Sequence, residues 1–301
     1  MEPLRPARQW QVDLVSEASM PDLEALQPQL REAVLAAGEI AMAAFGQGGR
    51  SWEKSPGQIL TETDLAVDGA LKTSLGEVLA SAAWLSEETK DDGKRLEQPR
   101  VWVVDPIDGT RSFAAGKPEF TISVALVEEG RSILACLLNP ATGECFEARR
   151  GAGASLNAQP LRLDTPETLE TARIVLSAGE RKTRDFRPFF PGAAVSTIGS
   201  LAYKIALVAA GRFDAYFSWR MSHDWDIAAA LLILEEAGGR ATDRSGEALT
   251  LNRTEPRHRG LIASSPSLHD HLTAISRRRL EAASTNEPTG DHALRAMAAP
   301  R

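Results

Sequence analysis

The chain has 301 residues, 43% of them hydrophobic and 25% charged, with a formal net charge of -7. This fits one large domain, or two intimately packed subdomains, around a sizeable core, and it excludes a disordered or fibrous chain. The negative balance and scattered basic residues argue against a nucleic-acid polymer as partner, and they leave an anionic substrate in need of a metal or of local dipoles.

The first 20 residues, MEPLRPARQWQVDLVSEASM, lack the continuous apolar core of a signal peptide. No apolar run reaches the roughly 18 residues of a transmembrane segment. A loose N-terminal tail over 1–20 and a cytoplasmic protein are therefore expected. PDLEALQPQLREAVLAAGEIAMAAFG has helical periodicity, GQGGRSWEKSPGQ reads as a polar loop, and TETDLAVDGALKTSLGEVL predicts a second helix capped by Thr61 or Thr63. Strand-like runs follow at AAWLS, VWVVD, FTISVALV, SILACLLN and ECFEARR, so residues 21–156 read as an α+β half: an antiparallel sheet flanked by two helices. Cys136 and Cys145 flank the turn NPATGE and could face each other, but two cysteines in a large cytosolic chain are expected to be reduced core residues.

From about residue 157 strands and helices alternate, through ARIVLSA, SLAYKIALVAAG, FDAYFSW, WDIAAALLILEEAGG, GLIASS and PSLHDHLTAISRRRL. That pattern predicts an α/β half over 157–280, with the site between the halves and a disordered tail over 281–301.

The stretch VWVVDPIDGTRSF sets Asp105 directly after four apolar residues and Asp108 three positions later. Turn chemistry explains the break, since Asp-Pro and Asp-Gly both favour turns. It does not explain a charge near the core, which needs a partner. A divalent cation would let two carboxylates converge, so a turn and a metal site both stay open from this segment alone. Other acids stand at element boundaries: Glu87 and Glu88 in LSEET, Asp64 in LTETDLAVD, and Asp224 and Asp226 in SHDWDIAAALL. Singly these read as solvated strand ends or helix caps. Together they supply the oxygen donors that Mg²⁺ requires, and they point to metal-assisted hydrolysis.

WLSEET, VDPIDGT and WDIAAALLILEEAGG, in this order, resemble the signature blocks of the inositol monophosphatase superfamily, the lithium-sensitive, magnesium-dependent phosphomonoesterases. The resemblance spans about residues 25–275 and implies the layered αβαβα sandwich of the sugar phosphatases, with two or three Mg²⁺ ions. It implies that Glu87, Asp105 and the Ile107 carbonyl hold a first metal, and that Asp105, Asp108 and Asp226 hold a second. Glu87, Asp64 and Thr110 would be catalytic, with Thr110 and Asp64 orienting the attacking water. Asp108, Gly109, Thr110 and Asp226 would meet the substrate. Gly109 would permit close backbone approach, and Thr110 would begin a short helix whose N–H groups receive a phosphate.

Within the superfamily, LSEE, PEFTISVAL and GSLAYK are most similar to the 3'(2'),5'-bisphosphate nucleotidases of the CysQ type, which implies 3'-phosphoadenosine 5'-phosphate as substrate. Lys204 would then meet the second phosphate, or else be a solvated helix lysine. Trp219 stands where inositol phosphatases carry a glutamate, and it could stack on adenine or serve as core. The alternatives are an inositol-1-monophosphatase or related sugar phosphatase, and a catalytically silent metal-dependent binder. The partner in every case is a small phosphorylated metabolite, and a homodimer stays open.

Overall fold

In the computed structural model the described residues are 22–47, 51–55, 58–163, 168–183, 186 and 188–285. The expected tail over 1–20 lies outside them. The first helix, α1 (Leu23–Ala44), is capped by Asp22, whose carboxylate accepts from the amides of Glu24 and Ala25. The segment read as a polar loop instead forms a short antiparallel hairpin, β1 (Ser51–Ser55) and β2 (Gln58–Thr61). It leads into α2 (Glu62–Val78), for which Thr61, not Thr63, is the N-cap.

A seven-stranded sheet follows: β3 (Ala83–Ser86), β4 (Arg100–Asp108), β5 (Thr121–Glu128), β6 (Arg131–Asn139), β7 (Glu144–Arg149), β8 (Gly153–Leu156) and β9 (Gln159–Pro160), in that spatial order. It is antiparallel except at its start, where β3 and β4 run parallel. The short helix α3 (Thr110–Ala114) lies between β4 and β5. Every residue of β4 is buried, because both faces of the sheet are covered. Trp102 and Val104 pack under α1 and α2, while Val101 and Val103 face the other way, into a core they share with α5 (Leu201–Ala209) and α6 (Asp224–Glu236). Cys136 and Cys145 are buried free thiols with their sulfurs 3.7 Å apart.

The remaining elements are β10 (Arg173–Leu176), α4 (Ala178–Thr183), β11 (Ala194–Thr197), β12 (Ala215–His223), β13 (Arg240–Thr242), β14 (Arg257–Ser264) and α7 (Pro266–Thr285). Their strands form a second sheet of order β11-β10-β12-β14-β13. Val175, Tyr216 and Leu261 face the α5 and α6 layer, and Ile174, Phe217 and Ile262 face α7 through Leu268 and Leu272. The layers therefore run helix, sheet, helix, sheet, helix, as the resemblance implied. The middle pair is buried all round because a sheet covers each side: Ala202 to Ala209 in α5 are all buried, Lys204 among them. The final helix continues to Thr285, five residues into the stretch read as a tail, of which 286–301 lie outside the described residues. Among the described residues, no helix is long and apolar enough to cross a membrane.

One long-range tie sets the position of the loop before β14. Arg95, 2% exposed, donates from Nη1 to Asn252 Oδ1 at 2.5 Å and from Nη2 to the Arg253 carbonyl at 2.9 Å, while its Nε meets Asp91 at 3.0 Å. Arg95→Leu should lower unfolding stability by about 1.5 to 3 kcal/mol, the range for hydrogen bonds to a charged group. Urea unfolding should show the midpoint falling at constant slope; an unmoved midpoint would show that the loop is held without Arg95.

Candidate metal centre

The end of β4 is built differently from a simple strand stop. Asp105 pairs with Ser123 and Asp108 with Thr121, so three steps on β4 oppose two on β5. The surplus is a bulge at Pro106 and Ile107, where a proline without an N–H costs the ladder nothing. The bulge carries the strand through to Asp108, past the end expected at Asp105. Gly109 closes the bulge at φ 99°, where an added Cβ would meet the Glu119 carbonyl at 2.7 Å and the Ser200 amide at 3.1 Å. Only glycine fits there, against the backbone of Glu119 and Ser200.

Three carboxylates from three elements meet at this bulge. Oxygens of Glu87 after β3, Asp105 in β4 and Asp226 in the first turn of α6 all lie within 4.8 Å of one another. Asp105 is buried, and its Oδ1 accepts from the Ile107 amide at 3.1 Å. Burial first, then the charges of Glu87, Asp108, Asp226 and Asp64, hold its carboxyl well above the ordinary range. Asp226 Oδ2 accepts from the His223 amide at 2.7 Å, which fixes the carboxylate against the helix start.

Asp64 and Thr110 also meet, with the hydroxyl 3.2 Å from Asp64 Oδ1 and 3.0 Å from the Ile107 carbonyl. Asp64 is held from behind by the Thr61 amide at 2.8 Å and by the Thr61 hydroxyl. Burial raises its pKa, against the lowering effect of these hydrogen bonds. Asp108 stands apart from the three converging acids. Its Oδ2 accepts from Ser200 Oγ at 2.5 Å and from the Ala202 amide at 2.6 Å, so it caps the start of α5. Burial and the charge of Asp226 still raise its pKa.

The donor set is all oxygen and largely desolvated, and it gathers like charges that an oxygen-seeking divalent cation would neutralise. The residues present therefore fit the cation that the signature blocks implied.

Comparison with known proteins is consistent with this chemistry. The model of the inositol monophosphatase family matches residues 22–281. The chain belongs to the inositol monophosphatase family. It is 33% identical to an inositol-1-monophosphatase of Rhizobium meliloti over 71% of this chain and 84% of that one. It is also 33% identical to a fructose-1,6-bisphosphatase/inositol-1-monophosphatase of Thermotoga maritima, over 74% and 85%. A solved Thermotoga maritima IMPase superposes with a TM-score of 0.76 at 28% identity, covering 86% of this chain and 98% of that structure. As a family member the chain is a phosphatase, a phosphoric monoester hydrolase, and the family is metal-dependent.

Lys204, expected at a second phosphate or in solvent, and Trp219, left open between adenine and core, are both buried. Lys204 is neither solvated nor turned to an open cleft: it is 3% exposed, its ammonium donates to the carbonyls of Ser200 at 2.7 Å and Ile198 at 3.2 Å, and it lies 5.5 Å from the centre of the Tyr216 ring. Burial pushes its pKa down to about 8 despite the neighbouring carboxylates, of which Asp108 is the foremost. Trp219 is 7% exposed and packs against Phe186, Phe189 and Phe217, an aromatic core contact.

Sequence reasoning missed Ser200, which holds Asp108 from the unusual φ of 52°. Its sequence signal was its place in the Gly-Ser start of GSLAYK, ahead of an apolar helix. His223, the N-cap of α6, stacks on Trp225 with ring centres 4.5 Å apart and lends its amide to Asp226.

Raised carboxyl pKa values carry a definite sign. A carboxyl held above its unfolded value favours the folded chain below the ordinary carboxylate range, and that contribution is lost as pH rises through the folded value. Saturating Mg²⁺ should therefore raise Tm most at neutral pH and progressively less on acidification. At 100 times Kd the gain is about 2.7 kcal/mol. A Tm shift equal at both pH values, measured by scanning calorimetry, would count against a cation among these acids.

Proposed function

We propose that the chain is a Mg²⁺-dependent phosphomonoesterase whose reacting centre is the bulge at the end of β4. The observation that carries this is the convergence of Glu87, Asp105 and Asp226 beside the Thr110–Asp64 pair. In this reading Glu87, Asp105 and the Ile107 carbonyl would hold one Mg²⁺, while Asp105, Asp226 and the free oxygen of Asp108 would hold another. Mg²⁺ in such a site supplies charge neutralisation for the phosphoryl group and lowers the pKa of water. Thr110 orients the attacking water through its hydroxyl. Asp64 takes the proton, and its upward-shifted pKa makes it a better acceptor than an ordinary aspartate. The N–H groups at the start of α3 would receive the phosphate.

For the ester we place 3'-phosphoadenosine 5'-phosphate first, supported by LSEE, PEFTISVAL and GSLAYK taken together. The support is thinner than sequence suggested, because each block also has a structural task. Ser86 Oγ contacts Asp68 and accepts from the Glu88 amide at 3.2 Å, Glu119 accepts from the Gly199 amide at 2.8 Å, and Lys204 ties down the start of α5. The second reading, an inositol 1-phosphate or sugar phosphatase, is favoured by the names of the relatives and by one contact. Glu180 of α4 brings a carboxylate to β12, accepting from the Trp219 amide at 2.8 Å, where the sequence before the Trp-Asp pair offers none.

Asp105→Asn should abolish Mg²⁺-dependent release of phosphate while leaving the circular dichroism spectrum unchanged. A variant that keeps most of its activity would return this loop to turn chemistry.

Lys204→Met tests the ester. Acting through Ser200 and Asp108, Lys204 should affect 3'-phosphoadenosine 5'-phosphate and inositol 1-phosphate alike, with kcat/KM falling about 10 to 100-fold on both, the range for groups that support metal ligands. Loss on the bisphosphate alone would restore a direct phosphate contact. The wild-type ratio on the two substrates decides between the readings.

A further inference from the structure

A cavity of about 810 Å³ lies against β12 and β14, lined by Arg244, Arg253, Arg257 and Arg259 with Trp219 and Met221 in its wall. Among the described residues none of the four guanidinium groups has a carboxylate partner, although the chain carries a net charge of -7. Two acids, Asp243 and Glu255, share the lining, and among the described residues neither forms an ion pair with the four arginines. Asp243 Oδ1 is occupied by the Ser245 amide and hydroxyl and the Glu247 amide, at 2.7 to 2.9 Å. Arg253 donates to the Arg257 carbonyl, which draws two of the four together. Like charges gathered in a concavity repel one another, and the arrangement is relieved by an anion that takes several of them at once.

We propose that this cavity is a second binding site, for a small anion carrying two or more phosphoryl groups, separate from the carboxylate cluster. The planar forks of arginine bind phosphoryl oxygens bidentately, and four forks exceed what one phosphoryl group can engage. The volume suits a ligand of nucleotide size, within about 300 to 1,000 Å³. Met221, 53% exposed, adds an apolar wall that a bare ion would not need. A concave site of this size does not suit an extended polymer.

The site is also joined to the proposed reacting centre. Arg257 is the register partner of His223, whose amide holds Asp226, and His258 between Arg257 and Arg259 lies 2.7 Å from Asp224 at the start of α6.

The test is calorimetric titration of the full chain with inorganic pyrophosphate in EDTA, on an Asp105→Asn background that removes the proposed metal site, so that failure here and failure of the phosphatase reading are distinguishable. One-to-one binding is expected, at least 10-fold tighter than that of inorganic phosphate. It should weaken at least 10-fold in Arg257→Ala/Arg259→Ala and stay unchanged in Arg131→Ala. In an otherwise wild-type chain the double variant should still hydrolyse its monoester. Absence of binding, equal affinity for phosphate, or equal loss in Arg131→Ala would each overturn the proposal.

Discussion

Repulsion among buried carboxylates is the constraint on which the rest of this structure depends. Burial and the charges of neighbouring acids raise the proton affinity of Asp105 and Asp108, burial raises that of Asp64, and an apolar sheet by itself offers them nothing in return. The fold answers with helix starts. Asp64 sits in the first turn of α2 and Asp226 in that of α6, Asp108 accepts from the second amide of α5, and Thr110 opens α3. Each helix presents unpaired N–H groups and the positive end of its dipole to the same small volume. These dipoles moderate the repulsion, and a cation of the kind the family depends on would complete the neutralisation.

Lys204 belongs to the same electrostatic arrangement. A lone ammonium in the interior is costly, yet this one has two carbonyls, an aromatic face and nearby acids to compensate. Its hydrogen bond to the Ser200 carbonyl restrains a residue at positive φ, and Ser200 in turn holds Asp108. The lysine thus restrains Ser200, and through it Asp108, by way of backbone geometry.

Much of this was legible in the sequence, and the failures have physical causes. Both long N-terminal helices, the five principal strands of the first sheet and the alternation of the second half follow from periodicity, and the acids at element boundaries marked the site. The parallel pairing of β3 with β4 was hidden because strand direction depends on the connection between them, not on either run. The hairpin β1–β2 and the short β11 and β13 are too brief to impose a pattern. The bulge escaped notice because Asp-Pro and Asp-Gly mimic turn chemistry, while register with β5 is a property of two strands together. Lys204, expected at a second phosphate or in solvent, is buried instead, because composition identifies a polar residue but only packing decides which way it points.

The start of α6 is where the two halves become mechanically one. Asp226 reaches the carboxylates of the first sheet, while two residues earlier Asp224 accepts from the Asn252 amide at 2.6 Å and meets His258 at 2.7 Å. Asn252 holds φ 55°, and its side chain is gripped by Arg95 from the first half. The loop is therefore fixed from both sides around a single helical turn. Any displacement of that turn would move Asp226 relative to Asp105, so a contact far from the reacting centre can alter its geometry without touching a ligand. Rigid packing of α6 between two sheets is what makes this transmission direct, since a helix buried all round has no soft side on which to yield.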